Sequence, residues 1–219
     1  MRGVRRLVQP LAIVGAGGSG REIAWLVEEI NAEMPQWDFF GFVDDSATGS
    51  TVEGYPILGR PESLLSSGVM PRVVCSIGDS SARAGVVARL EELGLEFATL
   101  VHPSVRRSRF VEIGEGSVIC ADSVLTTNVR VGRHVLVNIG CHIGHDSTLG
   151  DFASLMYSVN IAGEVQIGEG CYLGSSSCVI NRKSIGPWTT IGAGAIVVDD
   201  IPDRVVAVGV PARTIRSKS

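Results

Sequence analysis

Aromatic residues are scarce in this chain: only 5% of its 219 residues are Phe, Trp or Tyr. A core of that size cannot be built on large rings, so small and β-branched side chains must fill it. No strong charge of one sign is present. The net charge of −4 excludes the basic footprint that nucleic-acid binding requires. No apolar run approaches the roughly 20 residues of a membrane span. Cysteines are few. Cys75, Cys120, Cys141, Cys171 and Cys178 are an odd set without CxxC spacing. That excludes a disulfide framework and a zinc ribbon and fits buried thiols in a reducing compartment. The expected location is the cytoplasm. The basic start, MRGVRR, imitates a secretory signal, but Gln9 and Pro10 interrupt the apolar segment after it, and a first β-strand is the expectation. What the chain has instead is glycine, 27 residues of it, and 45% hydrophobic content. Together these predict tight turns around a substantial core.

Two periods divide the chain. From Leu11 to about Leu100, strands alternate with helices: LAIVGAGG, FFGFVDD, PRVVCSIGD and EFATLVHP read as strands. SGREIAWLVEEI reads as a helix with Ser19 as N-cap and Ile23, Leu26, Val27 and Ile30 on one face. SSARAGVVARLEELG reads as a second helix closing on Gly94. This predicts a small parallel sheet, about half a dinucleotide-binding fold. Beyond it, every sixth residue from Ile113 to Val197 is Ile, Leu or Val, fifteen in succession. Four residues after each comes a mostly small residue, with Lys183 the one clear misfit. Six-residue repeats are the signature of a parallel β-helix. Three hexads make an 18-residue coil, so five coils are expected. The expected boundaries are an α/β domain over 1–100, a β-helix over 101–205 and a tail over 206–219.

The 18-residue coil is a ruler for NIGCHIGHDSTLG, Asn138 to Gly150. His145 is third in its hexad, and one coil further lies Gly163, roughly one strand spacing away. A histidine beside a bare backbone leaves room for a substrate and can act as a general base. His142, last in its hexad, is placed at a corner and should diverge from His145, which weakens a metal reading, since zinc needs three or four converging ligands. His142 and His134 read as surface or subunit-contact residues. The spacing alone also leaves His145 open as an ordinary surface residue.

The combination is more specific than either half. IVGAGGSGREI, then FVDD, SIGD, VHPS, the hexads and a terminal GVPAR (Gly209 to Arg213) resemble the sialic-acid O-acetyltransferase-like, NeuD/PglD-type, family of sugar acyltransferases across nearly the whole chain. The resemblance implies a half-Rossmann-like N-terminal α/β domain that binds a nucleotide-sugar, followed by a left-handed parallel β-helix of hexapeptide repeats. The general crossover rule alone would favour a right-handed form. The matching nucleotide-sugar positions are Gly15, Gly17, Gly18, Ser19 and Gly20, with Asp44 and Asp45. Glycines there would let backbone approach a pyrophosphate at a helix N-terminus. The same glycines satisfy GxGxxG, so a nicotinamide cofactor is a formal alternative, opposed by the missing second half and the attached β-helix.

The family segment of Asn, six residues, His, acid falls on Asn138, His145 and Asp146. The resemblance implies that His145 deprotonates the acceptor, which attacks the thioester of acetyl-CoA directly. Asp146 would orient His145, although neighbouring strand residues tend to point apart, so a simple structural acid is equally open. Gly163 matches the family glycine whose N–H faces the acetyl oxygen. CoA would lie between β-helices of a homotrimer, with Lys183 and Arg213 able to contact its phosphates on charge alone; ordinary surface basics are the competing reading. The implied activity is N-acetylation of a UDP-4-amino-sugar. Alternatives are O-acetylation of a sialic-acid-type sugar, a γ-carbonic-anhydrase-like metalloprotein and a non-catalytic binding scaffold. The chain departs from the family at Ser19 and Arg21, where His and Lys are frequent, and in ASLMYSVN, where a further His is frequent. These departures leave the sugar open.

Overall fold

The computed structural model describes residues 8–46, 49–66 and 68–218. Met1–Leu7, which include the whole basic start, lie outside them. The chain divides into two compact units, 1–77 with 85–98, and 78–84 with 99–219.

The first unit holds a three-stranded parallel sheet in the order β2-β1-β5, where β1 is Gln9–Val14, β2 Trp37–Val43 and β5 Arg72–Cys75. Pro10 is tolerated in β1 because the pairing with β5 begins only at Leu11, so β1 is still an edge there. Between β2 and β5, a short hairpin joins β3 (Thr51–Val52) to β4 (Tyr55–Pro56). Its turn places both Glu53 and Gly54 at positive φ, as a two-residue turn matching strand twist requires. Helix α1 (Gly18–Glu33) follows β1 and buries Ile23, Leu26, Val27 and Ile30, the face expected from the sequence. Its N-cap is Gly17, with no side-chain cap; Ser19 sits inside the first turn, not before it. Helix α2 (Ser80–Glu92) ends where Gly94, at φ 72°, donates to the Glu91 carbonyl and Leu95 to that of Leu90. The expected fourth strand is divided. Phe97 bridges to Val73, whereas Leu100–Val101 pairs with Val118–Ile119 in the β-helix.

The second unit is the β-helix. Two-residue strands stack with partners 18 residues away: His142 pairs with Val124 and with Asn160, and Ile143 with Leu125 and Ile161. Three flat sheets result, built on strands such as His142–Ile143, Thr148–Leu149 and Ser154–Leu155. From Ile119 to Val197 every sixth residue is buried. Each buried aliphatic contributes about 1.5–3 kcal/mol. The small residues four places on are buried too, and Lys183, the misfit, is only partly so. Several are polar, and the backbone satisfies most of them, Ser177 Oγ being an exception. Ser117, Ser123 and Ser147 each donate to the carbonyl 15 residues on and accept from the N–H 18 residues on. Cys141 and Cys171 donate to carbonyls in the same way, and burial pushes both thiols up to about 11. The five cysteines are free. Much of the described part of the segment expected as a tail over 206–219 extends the third sheet. Val205–Val208 pairs with Thr190–Ile191, and Arg213–Ser217 returns antiparallel along it.

Corners recur every six residues. From Gly116 to Gly194, the residue three places after each aliphatic adopts positive φ: Asn128 (53°), His134 (54°), Asp146 (59°), Phe152 (58°) and their equivalents. The corner within Asn138–Gly150 is therefore His145–Asp146. His142 lies on the flat strand, which corrects the corner expected for it. His134 is corrected as well: it is 1% exposed and stacks on Phe152 with ring centroids 5.3 Å apart. The guanidinium of Arg83, in the first turn of α2, is buried against this corner. It donates to the carbonyls of Gly78, His134 and Phe152 and to Ser154 Oγ.

Candidate active site

The β-helix site is built on the corner at 145–146. Asp146 occupies the left-handed position, so the two side chains are not constrained to opposite faces as they would be on a strand. His145 Nδ1–H donates to Asp146 Oδ2 at 2.7 Å. The neutral ring then presents Nε2 as an acceptor. Asp146 Oδ1 accepts from Asn128 Nδ2 at 3.0 Å. The His145 bond, and then that of Asn128, hold the Asp146 carboxyl below its ordinary range. Both members of the pair remain about half exposed, at 55% and 49%, and are open to a ligand.

The His145 ring lies over Gly163. A β-carbon built on Gly163 would stand 2.5 Å from His145 Nε2, so any side chain there would displace the ring. Backbone donors account for the rest of this segment. Ala162 donates to Val179, Glu164 to the His145 carbonyl and Val165 to Ser147 Oγ. The N–H of Gly163 has no partner among the described residues, and a buried or half-buried donor of this kind is available to a ligand. A ring nitrogen that can accept a proton and an open backbone donor are thus adjacent, an arrangement suited to acyl transfer.

Other expected residues fall elsewhere. Asn138 is buried, and its Oδ1 accepts from the Ile139 N–H; among the described residues no hydrogen bond joins it to His145. His142 donates to Asn160 Oδ1 at 3.1 Å and does not converge on His145. Arg213 pairs with Asp199 at 3.1 Å, and Lys183 lowers the carboxyl of Asp200 after that group's bonds to Ser184. Beside Asp146 an open groove is lined by Arg109, Phe110, Glu112, Asn128, Arg130 and Gln166.

The first unit offers a second site. Gly15, at φ 104°, turns the chain out of β1, and a β-carbon on Gly20 would strike the Gly15 carbonyl. The Ala16 N–H donates to Asp44 Oδ2, while Asp44 Oδ1 accepts from Ser46. Asp44 therefore braces the glycine loop and Asp45 faces Arg89 at 3.3 Å. A cavity of about 260 Å3 opens here, lined by Gly15, Asp44, Asp45, Ser46, Ile77 and Arg89. Its walls are largely apolar and its rim carries both charges, which suits a planar heterocycle with polar edges. Ile77 lies in the SIGD segment, but neither it nor Arg89 stands out in the sequence as a site residue.

The model for the PglD N-terminal domain matches residues 10–90. GDP-perosamine N-acetyltransferase of Escherichia coli O157:H7 is 30% identical over 211 residues, covering 93% of this chain and 95% of its own. The chain belongs to the PglD-type family of sugar acyltransferases. It is accordingly an acyltransferase, and its β-helix is left-handed, as the resemblance implied. Two solved structures align with nearly all of it. The acetyltransferase domain of PglB from Neisseria gonorrhoeae FA1090, in complex with acetyl coenzyme A, aligns with a TM-score of 0.86 at 28% identity, over 95% of this chain and all of that one. PerB from Caulobacter crescentus, in complex with CoA and GDP-perosamine, aligns with a TM-score of 0.87 at 28% identity, over 97% of this chain and all of that one.

Proposed function

We propose that this protein transfers the acetyl group of acetyl-CoA to the amine of a nucleotide-linked amino sugar, with His145 as general base. The observation that carries the reading is the His145 ring held by Asp146 over the unpartnered N–H of Gly163. His145 Nε2 takes a proton from the acceptor amine as its nitrogen forms a bond to the thioester carbon. The carbonyl electrons move to oxygen, where the Gly163 N–H donates. Collapse breaks the carbon–sulfur bond, and the proton on Nε2 passes to the departing thiolate. The products are the acetamide and free CoA. Asp146 keeps Nδ1–H in place and offsets the positive charge on the ring.

The glycine loop, Asp44, Asp45 and the cavity beside them take the nucleotide, with Gly17, Gly18 and Ser19 at the start of α1 facing its phosphates. The proposed assembly is a homotrimer, with Lys183 and Arg213 toward CoA, working in the cytoplasm. Free cysteines support the compartment; among the described residues no helix is long and apolar enough to cross a membrane. The UDP-linked acceptor follows from the resemblance, whereas a GDP-linked sugar is named for PerB and the Escherichia coli enzyme. Thiol release from acetyl-CoA, measured with UDP-, GDP- and dTDP-linked 4-amino sugars, decides between them. No release with any of the three would overturn the reading, as would full turnover by His145→Ala.

A further inference from the structure

We infer that Asn128 is a positioning residue for the catalytic pair, fixing the carboxylate of Asp146 so that His145 stays in the tautomer that can accept a proton. The inference rests on the reading of His145 as the base. Asn128 lies one coil before Asp146, 18 residues away and at the same left-handed corner position. Its amide nitrogen donates to Asp146 Oδ1 at 3.0 Å, and His145 Nδ1–H donates to Oδ2 at 2.7 Å. Each carboxylate oxygen has its own donor. The plane of the group is therefore set from two sides, and Oδ2 is kept for the ring.

The residue type follows from two demands. At φ 53° the backbone suits Gly, Asn or Asp and strains most others. Of those three, Asn alone supplies a side-chain donor; Asp at this position would set one carboxylate against another. The same column continues beyond the site. Glu164, one coil after Asp146, pairs with Arg182 at 3.1 Å, so the next acid in line is already engaged and does not compete for the His145 ring.

Two variants keep the corner conformation and remove the donor: Asn128→Gly deletes it, and Asn128→Asp replaces it with a like charge. Both are assayed for kcat and KM, and the ring nitrogens of His145 are followed by nitrogen NMR, His145→Ala assigning its signals. The expected result is a fall in kcat of about 3-fold for Gly and about 10-fold or more for Asp, with both KM values held. The His145 signals should move from one tautomer toward a mixture. Unchanged kcat and unchanged His145 signals would overturn the inference. So would a raised KM for the amino sugar at constant kcat, which would make Asn128 a substrate contact. If His145→Ala itself turns over normally, the proposed function fails; if it is inactive while both Asn128 variants behave as wild type, only the role of Asn128 fails.

Discussion

Two histidines occupy corners of the same β-helix with opposite fates. His134 is sealed against Phe152, with Arg83 bonded to its carbonyl. His145 is half exposed, with Asp146 on one side and the bare backbone of Gly163 on the other. The two corners are alike, with His134 and Asp146 at φ 54° and 59°, but His145 stands one position before the left-handed residue. The difference is the column each side chain joins. His134 occupies the left-handed position, above Gly116 and below Phe152, and the first turn of α2 closes that corner. His145 comes one position earlier, over a glycine. Both rings lie against a glycine 18 residues away, so the accessibility of His145 comes from its place in the corner and from the absence, among the described residues, of a covering element such as the one over His134.

The contrast can be broken at either end. The largest effect is expected from His145→Ala, a loss of about 1,000-fold in kcat/KM, with the unfolding midpoint nearly unchanged; steady-state thiol release measures it. At the other corner, Arg83→Met should leave several carbonyls without a donor and destabilise the protein by about 3 kcal/mol. Denaturant titration checks this, and a loss under about 1 kcal/mol would mean that the corner holds without the guanidinium. Gly163→Ala should lower kcat by about 10-fold or more through displacement of the ring, because a misplacement of about 1 Å is that costly in an active site. An alanine there with normal turnover would show that the close approach of ring and glycine is unimportant. His134→Asn keeps the corner conformation, so turnover should change less than about 2-fold while stability falls by about 1–3 kcal/mol. The smallest effect concerns acid. The Asp146 carboxyl is held below its ordinary value of about 3.9. Its contribution to stability is complete above that pH and is lost as the pH falls through the folded value. Asp146→Asn should therefore have a slightly flatter acid limb in a melting-temperature profile; an identical limb would count against the pair.

The β-helix was legible because its rule is strictly periodic. The aliphatic at each sixth position, the small residue four places on and the pairing of His145 with Gly163 all follow from counting. The ring–carboxylate bond was harder to foresee. A strand would send His145 and Asp146 to opposite faces, and only the left-handed turn brings them together. Asn128 could have been found by the same step of 18 applied to Asp146. Arg83 could not, because its partners are mostly backbone carbonyls, which leave no trace in side-chain patterns. His142 was placed at a corner because the hexad boundary was set at the aliphatic, whereas the chain bends three residues later. In the first unit, EFATLVHP has the composition of a strand throughout, yet its two ends pair with different sheets.

Because contacts run between residues 18 apart, the solenoid has a reading frame. Deleting one residue between His145 and Gly163 would shift every later aliphatic off the inner face and bring a different residue under the ring. Deleting a whole coil would splice the frame back together, exchanging the neighbours of each column while leaving its backbone intact. New chemistry on such a protein is therefore expected to arise by duplication or loss of whole coils and by substitution within a column, with length changes of other sizes confined to bulges that leave the stack undisturbed.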